Sequence, residues 1–337
     1  PGILSRSFER TARAWQDQAK FIETESGNKN FDNWLRWVSI QPILRKIFGC
    51  SFLPDFDYGK GGRGWRDLWQ DCLSLILRNP KEVRPLIINN FSGVRIDGSN
   101  ATVIGKKPGE FIADRNNISR IWMDHGIWPL LTTLLYINQT GDLKIILEET
   151  AYFSDHQLSR GREIDRSWSQ RQGKSLKTSS ARVYKGTLLE HILIQNLVQF
   201  FNVGPHNHIR LENADWNDGL DMAAQHGESV AFSAMYAQNL KNLCRILAGL
   251  KIKNALVFEE LKILLDSLAK NPLNYSGIKQ KQRLLDRYFA AVKHPVSGRK
   301  LSVPVSGLIR DLERKADWLN AHIQKKECLR EGFFNGY

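Results

Sequence analysis

The sequence lacks the features that would place it in several large classes of protein. Its 337 residues contain no run near the roughly 20 consecutive apolar residues that a transmembrane helix needs, and its first residues have no signal-peptide plan. The four cysteines are scattered and form no CxxC pair, which favours a reducing, cytoplasmic setting. Because the sequence starts without Met and ends on an apolar, turn-like stretch, we expect this chain to be a piece of a longer polypeptide.

The sequence gives little support for metal or nucleic-acid binding. His206 and His208 lie close together, but no Cys or second His pair stands at metal-ligand spacing, so we predict no metal site. The net charge of +13 is spread along the chain without a nucleic-acid-binding motif, so we predict no nucleic-acid partner. The most basic stretch, residues 160–185, is interpreted either as a disordered insertion or as a lid that concentrates phosphate and substrate.

Helical periodicity dominates the chain, and strand alternation is hard to find. Apolar residues recur at helical spacing in seven segments: residues 66–77, 122–136, 188–201, 230–247, 256–268, 284–292 and 308–323. Long polar loops separate these segments, and loops of such length in a compact domain are usually functional or disordered. We therefore predict an all-α fold, a toroid or barrel of helices with the long loops at one end.

The most informative motif is Asp215-Trp216-Asn217-Asp218-Gly219. An indole can cover the apolar face of a pyranose, while carboxylates and amides bind its hydroxyl groups. A carboxyl kept protonated in a dry pocket can donate its proton to a glycosidic oxygen. The same residues could instead cap the helix that follows.

Two further clusters combine charged groups with the start of an apolar helix. Arg66 and Asp67, then Gln70 and Asp71, follow a glycine-rich run that lacks the Lys-Ser/Thr ending of a Walker loop. Asp67 falls in the first helical turn and shares a helix face with Asp71. Asp124-His125 opens another apolar helix between two tryptophans. Taken alone, each cluster can be explained equally well by a helix cap or a solvated helix face and by contact with a ligand.

Taken in order, these elements resemble glycoside hydrolase family 94. That family comprises cellobiose, chitobiose and 1,2-β-oligoglucan phosphorylases and the related domain of cyclic β-1,2-glucan synthases. The resemblance runs from about residue 31 to residue 337 and rests on these motifs: Arg66-Asp67-x-x-Gln70-Asp71, Asp124-His125 before Trp-Pro, Tyr136-x-x-x-Thr140-Gly141-Asp142, and Asp215-Trp216-Asn217-Asp218-Gly219. The combination of the first and last motifs is highly specific.

The resemblance implies an (α/α)6 barrel, incomplete at its C-terminal end, with its active site in the loops at one end. Residues 1–30 would be a helical lead-in from a missing N-terminal β-sandwich, and residues 31–337 a partial catalytic domain. Asp218 matches the general acid of the family. The implied substrate-binding residues are Arg66, Asp67, Gln70, Asp71, Asp124, His125, Asp215, Trp216 and Asn217.

The implied reaction is inverting phosphorolysis of β-glucosides or β-glucans, β-1,2-oligoglucan being the more attractive substrate. Asp218 would protonate the leaving oxygen while inorganic phosphate, the co-substrate, attacks the anomeric carbon and gives α-glucose 1-phosphate. No other cofactor and no membrane partner is implied, and the full-length protein would be a homodimer. The family's phosphate ligands lie beyond Tyr337, so we predict that these residues alone have no phosphorolytic activity.

Two alternatives stay open. The first is an inverting β-glucanase, in which a second carboxylate activates water across a gap of roughly 6.5–9.5 Å; Asp215 and Asp221 are candidates for that group. The second is a catalytically silent carbohydrate-binding domain.

Overall fold

A computed structural model describes residues 2–48, 64–101, 103–105, 107–112, 121–213, 223, 225–293 and 295–335. Within these ranges the chain is mostly α-helical. The helices are α1 (Gly2–Ala19), α2 (Lys29–Phe48), α3 (Trp65–Ile76), α4 (Pro80–Phe91), α5 (Ile127–Thr140), α6 (Leu188–Phe201), α7 (Val230–Gly249), α8 (Ile278–Val292) and α9 (Val305–Glu327).

The strands are short and form antiparallel pairs. They are β1 (Val103–Ile104), β2 (Phe111–Ile112), β3 (Glu149–Ala151), β4 (Gln157–Leu158), β5 (Glu163–Ile164), β6 (Lys185–Thr187), β7 (Ile209–Arg210), β8 (Glu228–Ser229), β9 (Asn254–Phe258) and β10 (Lys300–Pro304). In sequence order they pair as β1 with β2, β3 with β6, β4 with β5, β7 with β8, and β9 with β10. No larger sheet forms in the described part of the chain.

Helix α6 lies at the centre of the core, and all of its residues are buried. Its apolar residues occur on every side of the helix, which is typical of a helix surrounded by other elements. The helix begins at a Thr187 cap, whose side chain accepts a hydrogen bond from the Glu190 N–H at 3.2 Å. Helices α5, α7 and α8 contact α6, while α3 packs on α5 and α9 packs on α7. The core is thus built by helix-on-helix packing around α6.

Most helices predicted from periodicity are confirmed, and several are longer than predicted. Residues 188–201 form α6 without any shift, and the predicted 66–77, 230–247, 284–292 and 308–323 correspond to α3, α7, α8 and α9. The predicted helix 122–136 is wrong at its start, because α5 begins only at Ile127 and residues 123–126 form a turn. Gly141 ends this helix with a left-handed φ of 73°, as expected for a glycine stop.

The predicted helix over residues 256–268 is wrong. Its first part belongs to β9, which pairs with β10, and the rest forms two short 3₁₀ turns. Along β9, Ala255 and Val257 are buried while Leu256 is exposed. This alternation has the period of a strand, and pairing with the distant β10 outweighed the leucine spacing that favoured a helix.

The basic segment 160–185 has a defined structure, so its interpretation as a disordered insertion is wrong. Strands β4 and β5 pair at its start, and the Tyr184 N–H donates to the Leu176 carbonyl at 2.9 Å. Arg160 and Leu176 are buried. Buried apolar and charged side chains therefore anchor a stretch that its composition presents as solvated.

None of the helices in the described ranges is long and apolar enough to cross a membrane. The predicted division at residue 30 stays a prediction, as does closure of the helices into a toroid.

Candidate functional site

Two of the predicted clusters meet where the N-terminal end of α3 contacts the turn before α5. Arg66 Nε donates to Asp124 Oδ2 at 2.6 Å, across 58 positions of sequence. The Trp128 indole N–H donates to the same oxygen at 2.8 Å. The Arg66 guanidinium also lies over the Trp122 ring, 5.2 Å from its centroid, a cation–π geometry. The pair therefore has an aromatic face beside it.

The position of Arg66 is fixed by how α3 begins. The Gly64 N–H donates to Asp67 Oδ2 at 3.1 Å, so Asp67 satisfies a free donor in the first helical turn, as predicted. The Trp65 indole N–H donates to the His125 carbonyl at 3.0 Å, which ties the same turn of α3 to the segment before α5. Asp67 is therefore a capping residue as well as a neighbour of the site.

Gln70 and Asp71 lie one turn further along α3. Asp71 is buried and Gln70 is half-buried, so the helix does carry polar groups toward the protein interior, as predicted. Buried carboxylates are rare unless they are paired or bind a ligand.

His125 is almost fully buried, and neither of its ring nitrogens has a hydrogen-bond partner among the described residues. Burial lowers the pKa of His125 to about 4, because an apolar environment disfavours the charged imidazole. At neutral pH the ring is therefore uncharged and offers one donor and one acceptor. Buried polar groups are normally paired, so this ring is suited to a polar ligand.

Asp124 is buried and ionised. Burial alone would raise its pKa, but the charge interactions with His125 and Arg66, with the hydrogen bonds from Arg66 and Trp128, lower it. Since His125 is itself neutral at pH 7, Arg66 is the cation that stabilises the carboxylate there. The second oxygen, Oδ1, has no partner in the described ranges, and it can accept a hydrogen bond from a ligand hydroxyl.

Sequence reasoning missed Gln195 on α6. It is fully buried, and both its amide atoms lack hydrogen-bond partners within the described part of the chain. A Cβ added at Gly126 would lie 3.3 Å from the Gln195 Cβ, so this side chain begins next to the turn that carries His125. The only signal was a polar residue inside an apolar helix. We call Arg66, Asp124, His125 and Gln195 the Arg66 cluster.

The motif residues Asp215, Trp216, Asn217 and Asp218 lie outside the described residues. The chain immediately before them is anchored at the Arg66 cluster. Glu212 forms an antiparallel bridge with Trp122, and the Asn213 N–H donates to the Ile121 carbonyl at 3.1 Å. Glu212 and Asn213, the last described residues before the motif, thus lie beside the segment that leads into Asp124 and His125.

The Arg66 cluster combines several kinds of polar group beside an aromatic ring. Next to the Trp122 indole it brings together an ionised carboxylate, a guanidinium, a neutral imidazole and, from α6, the side chain of Gln195. No group of three or more His, Cys, Asp or Glu residues within the described ranges is arranged to hold a metal ion. The atoms of Asp124, His125 and Gln195 that have no partner among the described residues can form hydrogen bonds to a polar ligand.

No protein-family model matches this chain. The chain is similar to the cyclic beta-(1,2)-glucan synthase NdvB of Rhizobium meliloti (strain 1021), with 22% identity over 226 residues, or 67% of the chain. The match covers only 7% of the length of that synthase. The comparison thus relates the chain to a segment of a much longer glucan synthase.

Proposed function

We propose that this chain carries the sugar-binding part of a β-glucan phosphorylase of the glycoside hydrolase family 94 type. The observation that carries the proposal is the Arg66 cluster, where buried polar groups with unused hydrogen-bonding capacity stand beside an indole. The similarity to a cyclic beta-(1,2)-glucan synthase supports a β-1,2-linked glucan as the sugar. The toroid, the homodimer and the catalytic domain starting near residue 31 belong to the same proposal.

In this proposal the Arg66 cluster holds sugar hydroxyls and does not transfer the catalytic proton. The lowered pKa of Asp124 keeps it ionised at neutral pH, and a general acid must carry its proton into the reaction. The neutral imidazole of His125 and the Asp124 Oδ1 atom can each bind a hydroxyl group. The acid is then a different carboxyl, and Asp218 is the one we assign.

The proposed reaction has two concerted parts. The Asp218 carboxyl donates its proton to the glycosidic oxygen, which leaves with the bonding electron pair. Inorganic phosphate attacks the anomeric carbon from the opposite face, and the product is α-glucose 1-phosphate. Because phosphate is the nucleophile, no second carboxylate is needed to activate water, unlike in an inverting hydrolase.

Product analysis on the full-length protein tests this function. A β-1,2-linked gluco-oligosaccharide is incubated with and without inorganic phosphate, and glucose 1-phosphate and free glucose are measured. We expect glucose 1-phosphate that depends on phosphate, and a loss of about 10²–10⁴-fold in the Asp218→Asn variant, the usual contribution of a general acid. Asp317→Asn, at an exposed ion pair, is the matched control.

Two outcomes contradict the proposal. Release of free sugar without phosphate would assign the site to a hydrolase, and an unchanged rate in Asp218→Asn would remove Asp218 from the acid role. The 337-residue chain alone is predicted to be inactive.

A further inference from the structure

A cavity lies outside the Arg66 cluster, where residues 153–177 meet the C-terminal end of α8. Its volume is about 260 Å³, just below the roughly 300–1,000 Å³ of sites for drug-sized ligands, so it has room for one small ring. Three aromatic side chains line it, those of Phe153, Trp168 and Phe289. We call it the Trp168 cavity.

Hydrogen bonds between distant parts of the chain hold the backbone of this cavity. The Ser154 N–H donates to the Lys174 carbonyl at 3.0 Å, and the Asp165 N–H donates to the His156 carbonyl at 2.7 Å. Gly173 turns the chain between them with a left-handed φ of 80°. The basic segment thus builds the wall of a preformed cavity, as is usual for small-molecule sites.

The indole N–H of Trp168 is buried and has no hydrogen-bond partner among the described residues. The His156 ring lies beside it, with the ring centroids 5.8 Å apart, and His156 Nε2 is also buried without a partner in those ranges. Buried indole N–H groups usually have a partner, as that of Trp65 does at the His125 carbonyl. A hydroxyl group can both accept and donate, so a ligand hydroxyl is able to satisfy either atom.

The buried charged side chains of the wall already have partners. Arg95 donates from Nε and Nη2 to the two oxygens of Asp155 at 3.0 and 2.5 Å. Asp97 accepts hydrogen bonds from the Ser99 N–H at 2.9 Å and from the Arg160 N–H at 2.6 Å. Groups whose hydrogen bonds are made have little capacity left for an ion, so this part of the wall favours a neutral ligand.

Neutral polar side chains complete the lining of the cavity. Ser154 and Ser175 contribute hydroxyl groups. Gln172 Oε1 accepts a hydrogen bond from the Ser169 N–H at 3.1 Å, so the amide nitrogen of Gln172 is the atom that can donate to a ligand. Aromatic rings cover the C–H face of a sugar ring, while hydroxyl and amide groups bind its oxygen atoms. The lining therefore matches a saccharide.

The Trp168 cavity is separate from the Arg66 cluster, and none of its lining residues belongs to that cluster. Contacts that connect the two run through Arg160, whose N–H binds Asp97 in the cavity wall and whose side chain binds Glu212. Glu212 in turn forms the bridge with Trp122, beside the Arg66 cluster. The two sites thus use different side chains, and each can be altered by substitutions that lie outside the other.

We propose that the Trp168 cavity binds one pyranose ring of a neutral saccharide. The Trp168 N–H and the Gln172 amide donate to its oxygen atoms, and the aromatic rings contact its C–H groups. The proposal goes beyond the proposed function, because this site holds a saccharide without taking part in the reaction.

The indole N–H signal of Trp168 in a nitrogen–proton correlation spectrum reports on this cavity, and its loss in Trp168→Phe identifies it. Methyl β-D-glucoside, which has a single pyranose ring, is titrated into the chain. We expect a saturable shift of the Trp168 signal. We expect the same shift in Asp124→Asn, a variant that weakens the Arg66 cluster and leaves the cavity intact.

Calorimetry in the Asp124→Asn background measures the affinity of the cavity for the same glucoside. Trp168→Phe keeps an aromatic ring but removes the N–H, and we expect binding about tenfold weaker, as for the loss of one hydrogen bond. Trp34→Phe, at an exposed tryptophan of α2, is the matched control and should bind like its parent.

Three results would each overturn the cavity assignment: no saturable shift, a shift that disappears in Asp124→Asn, or equal affinity in Trp168→Phe and its parent. An equal shift with glycerol at the same concentration would also overturn it, because it would reveal a general effect of polyols. The two proposals fail separately. Saccharide binding in the cavity without phosphorolysis by the full-length protein would refute the proposed function but not the cavity.

Discussion

Two buried polar clusters of this protein differ in how completely their hydrogen bonds are made. In the Lys315 cluster, which comprises Lys315, Asp311, Asp266, Ser267 and Tyr275, every charge has a close partner. Lys315 Nζ lies 2.6 Å from Asp311 Oδ2 and 2.8 Å from Asp266 Oδ1. Ser267 Oγ donates to Asp311 at 2.6 Å, and Tyr275 donates to Asp266 at 3.0 Å.

In the Arg66 cluster, Asp124, His125 and Gln195 are also buried, but their hydrogen bonds are incomplete. Asp124 Oδ1, both ring nitrogens of His125 and both amide atoms of Gln195 lack hydrogen-bond partners in the described part of the chain. Burial of charge alone therefore does not identify a binding site here, because a satisfied network stabilises one conformation and has no capacity left for a ligand. The unused capacity of the Arg66 cluster is what distinguishes it.

The largest expected loss of stability comes from breaking the Lys315 cluster. Asp311→Ala leaves the fully buried Lys315 with one carboxylate in place of two, and we expect the free energy of unfolding to fall by about 3–5 kcal/mol, as for other broken buried pairs. Urea unfolding measures it. Asp317→Ala, which removes the exposed partner of Lys241, should change stability by about 1 kcal/mol or less. Equal losses of stability in the two variants would contradict the description of the Lys315 cluster as a buried network that stabilises the fold.

The next largest expected effect is the pH dependence of the free energy of unfolding that is caused by His125. Its pKa falls from an ordinary 6.5 to about 4 in the folded chain, so between these values only the unfolded chain takes up the proton. Above pH 6.5, the titration of His125 does not affect the free energy of unfolding. As pH falls from 6.5 toward 4, this titration lowers the free energy of unfolding by up to roughly 3 kcal/mol.

The variant His125→Gln isolates this contribution. Its unfolding free energy should fall less steeply with decreasing pH than that of the native chain. Other groups, such as Glu190, whose pKa burial raises to about 7, titrate in both chains and cancel in the difference. Parallel curves would show that the imidazole is already protonated or solvated in the fold.

The smallest expected changes in stability are those at two neighbouring residues of α6. Gln195→Met replaces an amide without partners by an apolar side chain and should raise the free energy of unfolding by about 1 kcal/mol. Asn196 is also fully buried, but it donates to the Ile192 carbonyl at 2.9 Å and accepts from Asn239 at 3.2 Å. Asn196→Leu should therefore lower stability by about 1–3 kcal/mol. Changes of the same sign in thermal or urea unfolding would refute the distinction between the two amides.

The sequence predicted the parts of the fold that depend on local periodicity. The apolar run 188–201 became α6 with the predicted ends, and Asp67 sits in the first turn of α3. By contrast, the leucines of 256–268 suggested a helix where a strand pairs with β10, because the partner lies more than 40 positions away in the chain. Local spacing contains no information about that partner.

The same limit applies to the site. The sequence placed Arg66 and Asp124 in separate clusters, and only the packing of α3 against α5 shows their 2.6 Å contact. Gln195 lies in no motif, since the sequence presents it as a stray polar residue in an apolar helix. Its significance depends on burial and on missing partners, which follow from tertiary structure.

Sugar binding to the native chain and to Asp124→Asn tests the central claim most directly. Calorimetric titration with a β-1,2-linked glucotriose should show saturable binding to the native chain. In Asp124→Asn, which loses the charge that orients Arg66 and accepts from the sugar, affinity should fall by about 10–100-fold. Asp317→Asn should bind like the native chain. Absence of binding to the native chain, or equal affinity in Asp124→Asn, would contradict the assignment of the Arg66 cluster as a sugar site.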